Sequence, residues 1–233
     1  MVEEWQETYE KEVEIYDTFS RYEDEENKLL NKLLEKFSFR GKIVLEVGCG
    51  SGKYSELLAP KSKKYFGLEI SKPLIELAKQ KCEKFKNVKF FNCSAEKIPL
   101  DDNSVDVVFA SWVLTAMISD EMREKSIKEI LRVLNDGGEI WLFENHWEGE
   151  FMNLRGKKNV KFEECDIYPL IKKYGFEIVE IIDTNFFFPS LDEIKRVTGF
   201  IFGKNALKYL DKKPQPKIKH KAVILHKIKR PTE

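Results

Sequence analysis

The sequence predicts a three-layer α/β/α sandwich built on a mostly parallel, doubly wound sheet. Short apolar runs alternate with helical patterns along most of the chain, and most of the runs are continuous rather than alternating. Continuous apolar strands are typical of a parallel sheet that helices cover on both faces. The predicted strands lie near residues 43–47, 64–69, 88–92, 104–110, 138–143, 176–182 and 222–227.

Helical patterns connect these strands. They lie at 53–59, at 73–85 with a proline at the start, at 120–134 and at 162–174. Since parallel strands need crossover connections, and such crossovers are right-handed, the alternation predicts an open sheet wound in both directions from its centre.

The turn after the first strand is the most informative stretch. Residues 43–52 read Ile-Val-Leu-Glu-Val-Gly-Cys-Gly-Ser-Gly. Alternating glycines allow positive φ angles and let a ligand approach the backbone, and the helix that follows turns its first N–H groups toward that ligand. A dinucleotide fingerprint, Gly-x-Gly-x-x-Gly, would need glycine at Lys53. The turn therefore predicts a polar, adenosine-sized ligand and disfavours a nicotinamide dehydrogenase.

Further motifs follow in order. The second strand ends at Glu69, whose carboxylate can accept hydrogen bonds from both ribose hydroxyls of a nucleoside. Downstream come Ala-Glu-x-Ile-Pro-Leu at 95–100, Asp-Val-Val-Phe-Ala-Ser at 106–111 and Leu-Arg-Val-Leu-x-x-Gly-Gly at 131–138. With the glycine turn, this set resembles the small-molecule branch of the class I S-adenosylmethionine (SAM)-dependent methyltransferases, over residues 40–145.

The resemblance implies a sheet of seven strands whose last strand is antiparallel, with SAM as cofactor and S-adenosylhomocysteine (SAH) as product. Many relatives carry an acid at Ser94, where it meets the adenine amino group, so the adenine contact departs from the common pattern. The cofactor-binding residues that the resemblance implies are Glu46, Gly48, Cys49, Gly50, Ser51, Gly52, Glu69, Ile70, Ser94, Ala95, Glu96 and Ser111.

Composition favours one cytoplasmic enzyme domain spanning residues 1–233. Forty basic and forty acidic residues cancel, so net charge gives no pull toward nucleic acid or membrane. No apolar run approaches the ~20 residues that span a bilayer, and the acidic start does not read as a signal peptide. The four cysteines have no short paired spacing, which favours free thiols in a reducing compartment and disfavours a zinc-binding site. The 34% charged content, rich in Lys and Glu, suggests a thermophilic source.

Two segments lie outside the common pattern. Residues 1–37 are predicted to form a helical cap, in which Tyr9 and Tyr16 would close over the cofactor if the cap is a lid. Residues 183–213 are predicted to be an insertion between the last two strands, with a helix near 190–210. Aromatic side chains in both segments either pack them onto the domain or line an acceptor pocket.

The chemistry needs few protein groups, because the sulfonium of SAM is already an activated electrophile that the protein aligns for in-line displacement. A base is required only where the acceptor holds a proton. His146, which follows the fifth strand, is the candidate catalytic residue; a structural loop histidine is the alternative. His220 and His226 are interpreted as structural.

Motifs that the sequence lacks narrow the class of acceptor molecule. Residues 110–113 read Ala-Ser-Trp-Val, without the prolines of amino-methylating DNA enzymes, the Pro-Cys of cytosine-C5 enzymes or the acids of metal-assisted ones. A metal-independent enzyme acting on a small molecule is the preferred function. The alternatives are an RNA or protein methyltransferase that uses the lysine-rich stretch 212–230, and a SAM-binding protein without catalysis. The sequence indicates neither the acceptor nor the oligomeric state.

Overall fold

The computed structural model describes residues 12–231. Tyr9, one of the two predicted lid tyrosines, lies outside the described residues. Within them, one sheet of seven strands has the order β3-β2-β1-β4-β5-β7-β6. The strands are β1 (Ile43–Val47), β2 (Lys64–Glu69), β3 (Val88–Asn92), β4 (Val105–Ser111), β5 (Leu134–Asn145), β6 (Glu177–Phe187) and β7 (Lys217–Ile228).

Strands β1 to β5 pair in parallel, and β7 runs antiparallel to both β5 and β6. The order reverses between β1 and β4, which is where ligands bind in open α/β sheets. The predicted fold class, including the antiparallel last strand, is confirmed.

Helices cover both faces of the sheet. They are α1 (Val13–Tyr22), α2 (Lys28–Lys36), α3 (Lys53–Leu58), α4 (Lys72–Cys82), α5 (Asp120–Val133), α6 (Glu150–Leu154), α7 (Tyr168–Lys172), α8 (Leu191–Phe202) and α9 (Lys204–Lys212). Successive side chains of β1 point to opposite faces of the sheet, because side chains alternate along a strand. Val44 packs in the core of α2 and α3, whereas Leu45 packs in the core of α5 and α7.

The segment between the last two strands differs from the predicted insertion. Residues 183–187 belong to β6, where Asp183 pairs with Lys221 and Phe187 with Lys217. The connection therefore spans residues 188–216. It contains α8 and α9 rather than one helix, because Gly203, with φ +63°, ends the first helix. The predicted helix at 162–174 is likewise shorter, since α7 begins only at Tyr168 with Pro169 in its first turn.

The described part of the predicted helical cap consists of α1 and α2. Asp24 separates them, and its carboxylate accepts hydrogen bonds from the backbone N–H groups of Lys28 and Leu29 at the start of α2. Ile15 of α1 lies in a core with α6, α8 and α9. Helix α1 and the connection before β7 thus pack together.

Candidate active site

The glycine turn joins β1 to α3 in a conformation that side chains resist. Gly50 and Gly52 have φ angles of +53° and +85°. A Cβ on Gly52 would lie 2.9 Å from the Cα of Ala78 in α4. A Cβ on Gly50 would lie 3.3 Å from Cε1 of Tyr16 in α1. Glycine at 52 therefore allows helix packing, and glycine at 50 keeps the turn open beneath α1.

Glu69 lies at the end of β2 and contacts this turn directly. Its Oε2 accepts a hydrogen bond of 2.9 Å from the backbone N–H of Gly50, and its Oε1 accepts one of 2.8 Å from Ser71. Burial raises the pKa of the carboxyl, and backbone N–H donors, those of Ser71 and Gly50 foremost, oppose the rise. A carboxylate has about four lone-pair sites, so these donors leave room for a ligand.

A cavity of about 180 Å³, which we call cavity A, opens beside Glu69. Its walls are mostly apolar, with Leu74 and Met122 among them, and they suit a flat base flanked by a ribose. The predicted cofactor-binding residues that line cavity A are Gly48, Glu69, Ile70, Ser94, Ala95 and Ser111.

A second cavity of about 230 Å³, cavity B, borders the same turn. Besides Gly48 and Ser111, which it shares with cavity A, three predicted residues line it: Cys49, Gly50 and Ser51. Both cavities are bounded by Tyr16, Gly48, Ser111, Trp112 and Ala116. They therefore meet at the ends of β1 and β4, where the strand order reverses.

Glu46, Gly52 and Glu96 are not lining residues of either cavity. Glu46 is buried under the turn, where its carboxyl accepts hydrogen bonds from Ser55 and from Tyr65, the latter at 2.8 Å. Burial raises the pKa of Glu46 to about 7, although both hydroxyl donors oppose the rise. In this geometry Glu46 links β1 to α3 and β2.

This buried carboxyl predicts a pH dependence of stability. A folded-state pKa of about 7 exceeds the ordinary 4.5, so the stability that Glu46 contributes is complete below about pH 4.5 and is lost as the pH rises to about 7. Between pH 5 and pH 7, the free energy of unfolding should therefore decrease by on the order of 3 kcal/mol less in the Glu46→Gln variant than in the wild type. Urea unfolding across this range measures it. Equal slopes in the wild type, the Glu46→Gln variant and the exposed control Glu76→Gln would contradict the assignment.

The structure does not bring His146 to either cavity. Its Nδ1 accepts a hydrogen bond of 3.0 Å from the backbone N–H of Glu148, and its ring stacks on Trp147 at 3.9 Å between centroids. Burial lowers the pKa of His146. The geometry is that of a histidine fixed in a loop.

Two features of the site were missed by sequence analysis. Lys53 donates hydrogen bonds to the backbone carbonyls of Ser20, at 2.8 Å, and Glu23, at the C-terminal end of α1. Trp112 follows β4 with φ +55°, a strained conformation for a bulky residue that is frequent at functional sites. The sequence signalled only that Lys53 replaces a fingerprint glycine and that Trp112 comes directly after a strand.

Lys53 should therefore hold α1 over the turn. Replacing it by methionine removes two hydrogen bonds from a charged donor, each worth about 1.5–3 kcal/mol. We expect amide hydrogen exchange in Val13–Tyr22 to accelerate by about tenfold or more. The matched control is Lys84→Met, which removes an exposed ion pair with Glu56. If α1 exchanges at the same rate in both variants, Lys53 is not its anchor.

Comparisons with known proteins agree with this architecture. Residues 45–142 match the family described as "Methyltransferase domain". Phosphoethanolamine N-methyltransferase 1 of Triticum aestivum is 32% identical over 48% of the chain, and probable tRNA methyltransferase 9B of Mus musculus is 30% identical over 54%. The chain spans about a quarter of the length of these two relatives, 24% and 25%.

Solved structures share the fold. The YcgJ protein of Bacillus subtilis superposes with a TM-score of 0.66 at 20% identity, covering 86% of this chain and 97% of its own. The N-methyltransferase NodS of Bradyrhizobium japonicum, solved with SAH, superposes with a TM-score of 0.58 at 16% identity. The match covers 90% of this chain and 88% of NodS. The family match over residues 45–142 agrees with the predicted resemblance to class I SAM-dependent methyltransferases, an enzyme class whose cofactor is SAM. The superpositions show that the fold is shared.

Proposed function

We propose that the protein transfers a methyl group from SAM to a small-molecule acceptor by in-line displacement, without a metal ion. The observation that supports this most is the junction of cavities A and B at Gly48, Ser111 and Trp112. A nucleoside in one cavity and an acceptor in the other would meet there. Among residues 12–231, no group of three or more His, Cys, Asp or Glu side chains is placed to hold a metal ion.

The residues around cavity A fit the cofactor. Glu69 would accept hydrogen bonds from the ribose hydroxyls, and the backbone of Gly48 and Gly50 would pass close to the ligand. Ser94 would face the adenine; its Oγ accepts a hydrogen bond of 3.2 Å from the backbone N–H of Glu96. These assignments give individual roles to members of the predicted binding set and are proposals.

When bound, SAM supplies a methyl group on a positively charged sulfur. The chain's part is to align the acceptor and to exclude water. Tyr16 of α1 lies over Gly50 and borders both cavities, so α1 covers the junction. Asp17 of α1 adds a salt bridge of 2.8 Å to Lys81 of α4, which also donates a hydrogen bond to Ser51.

A small acceptor is favoured over RNA by the setting of cavity B. Side chains of α1, α6 and α8 border it, among them Phe19, Phe151 and Phe202. The basic stretch before the C-terminus is partly committed to structure, since Lys229 is buried and donates hydrogen bonds to Asn103 and to the Leu134 carbonyl. The similarity to a probable tRNA methyltransferase keeps RNA as the second candidate.

Transfer from methyl-labelled SAM tests the proposal. The protein is incubated with a fraction of cell metabolites below about 1 kDa or with bulk tRNA, at low and high salt. Label in small molecules that is insensitive to salt is the expected result. Label in tRNA that falls steeply with salt would favour the RNA alternative. SAH binding without transfer to either pool would favour a SAM-binding protein without catalysis.

Composition alone supports three further proposals: a single domain over residues 1–233, a cytoplasmic location and a thermophilic source. Within residues 12–231, no helix is both long and apolar enough to cross a membrane.

A further inference from the structure

Beside cavity B lies a group of buried polar atoms to which the proposed methyl transfer assigns no role. Tyr54 and Trp112 line the cavity, and His220 packs against Trp112. Tyr54 Oη, Trp112 Nε1 and His220 Nδ1 are buried and have no hydrogen-bond partner among the described residues. The ring centroid of Trp112 lies 6.4 Å from that of Tyr54 and 6.3 Å from that of His220. Because an unpaired buried polar atom costs about 1–3 kcal/mol, three of them together indicate the place of a polar ligand group.

Glu23 completes this group. It follows α1, is only 5% exposed and lines cavity B, and its Oε1 lies 4.0 Å from Nδ1 of His220. Burial raises the pKa of Glu23 to about 8. The titratable and charged groups that face it, from five different segments, are Lys53, Asp24, Arg155, Glu144 and His220.

His220 is a poor base in this setting. Its Nε2 lies 2.9 Å from Oδ1 of Asn145, and an amide oxygen accepts, which assigns the ring proton to Nε2 and leaves Nδ1 as a bare acceptor. Burial lowers the pKa of His220 to about 3, so the ring is neutral. With a pKa of about 8, Glu23 is ionised above about pH 8, where its carboxylate can take a proton and the His220 ring is a much weaker base.

The walls and the donors of cavity B define the ligand. Phe151 stacks on Phe19 at 6.4 Å and meets Phe202 edge-on at 5.6 Å, so the walls suit a flat ring. Tyr54 and Trp112 offer O–H and N–H donors, which need an atom with lone pairs. An ammonium group has none, and Lys53, another residue of this cavity, disfavours a second cation.

We propose that cavity B takes a planar aromatic acceptor whose nucleophile is a hydroxyl group, and that Glu23 is the catalytic base that accepts the hydroxyl proton. The hydroxyl oxygen forms the new C–O bond while the C–S bond of the sulfonium breaks. The electron pair of that bond stays on sulfur, and the proton moves to the Glu23 carboxylate. This inference rests on the proposed function and adds the acceptor class to it.

Binding is tested first, with no turnover required. The protein saturated with SAH is titrated by calorimetry with 4-methylphenol, with cyclohexylmethylamine and with phosphoethanolamine. The phenol is expected to bind and both amines to fail, and Trp112→Phe should weaken phenol binding by about tenfold, the loss of one hydrogen bond. If SAH binds but the phenol does not, or if an amine binds instead, the acceptor class is wrong. If SAH itself fails to bind, the proposed function fails.

Turnover then tests the base. At about pH 8, 4-nitrophenol is already ionised, whereas 4-methylphenol, like tyrosine with its pKa of about 10, still carries its proton. Glu23→Gln should lower kcat for 4-methylphenol by about 10²-fold and leave kcat for 4-nitrophenol within about threefold. Glu25→Gln, an exposed carboxylate two residues away, should change neither.

Equal losses on both phenols, or no loss on either, would overturn the role of Glu23. Should Glu23→Gln fail to bind SAH, the wild-type pH profile decides: turnover of 4-methylphenol should rise with ionisation of Glu23 near pH 8 and that of 4-nitrophenol should not rise with it. Methylation of phosphoethanolamine or tRNA with both phenols inert would overturn the acceptor class.

Discussion

Replacing Glu69 by alanine is expected to weaken SAH binding by at least tenfold, and on the order of a hundredfold. The proposed hydrogen bonds from the two ribose hydroxyls to this carboxylate are each worth about 1.5–3 kcal/mol, and each 1.4 kcal/mol is tenfold in affinity. The substitution also removes the acceptor for the backbone N–H groups of Gly50 and Ser71, at 2.9 and 2.8 Å, so the turn itself loses support.

Calorimetric titration of the variant with SAH measures this effect. Glu76→Ala is the matched control, because Glu76 is an exposed carboxylate on α4 that pairs only with the neighbouring Lys79 among its described contacts. Affinity should be unchanged in the control. Equal affinity of wild type and Glu69→Ala would mean that the carboxylate does not face the ligand.

Gly50→Val is expected to abolish measurable SAH binding. The new side chain would start 3.3 Å from the ring of Tyr16 and would fill the gap between the turn and α1. It would also force a β-branched residue to adopt φ +53°, a strain of about 1–3 kcal/mol.

Gly41→Val is the control that distinguishes blocking of the binding site from strain in the backbone. Gly41 has φ +77°, and a Cβ there would meet nothing within 4 Å. Both variants should lose stability in urea unfolding, but only Gly50→Val should lose SAH. Loss of binding in both would show that backbone strain, and not blocking of the site, explains the result.

The parts of the site that sequence could predict are local. Gly48, Gly50 and Gly52 and the end of β2 at Glu69 lie in short motifs whose strand-to-helix geometry follows from a few neighbouring residues. The parallel sheet places the ends of these strands side by side, so the motifs meet without any further information. The seven strands followed in the same way from short apolar runs, most of them continuous.

The remaining parts depend on contacts between distant segments. Lys53 meets Ser20 and Glu23 only because α1 folds back over the turn. Glu23 and His220 are almost two hundred residues apart in the sequence and lie 4.0 Å apart in the structure. His146 follows β5 as predicted, but its backbone N–H pairs with the carbonyl of Lys221 in β7, which holds it in a loop of its own. No local pattern carries such contacts.

Whether the glycine turn holds SAH or a dinucleotide is decided by calorimetric titration of the purified protein with SAH, with NAD as the control ligand. We expect micromolar binding of SAH and no binding of NAD, because the third glycine of the turn comes at position 52 and Lys53 occupies the place where a dinucleotide site needs glycine. Binding of NAD without binding of SAH would contradict this expectation.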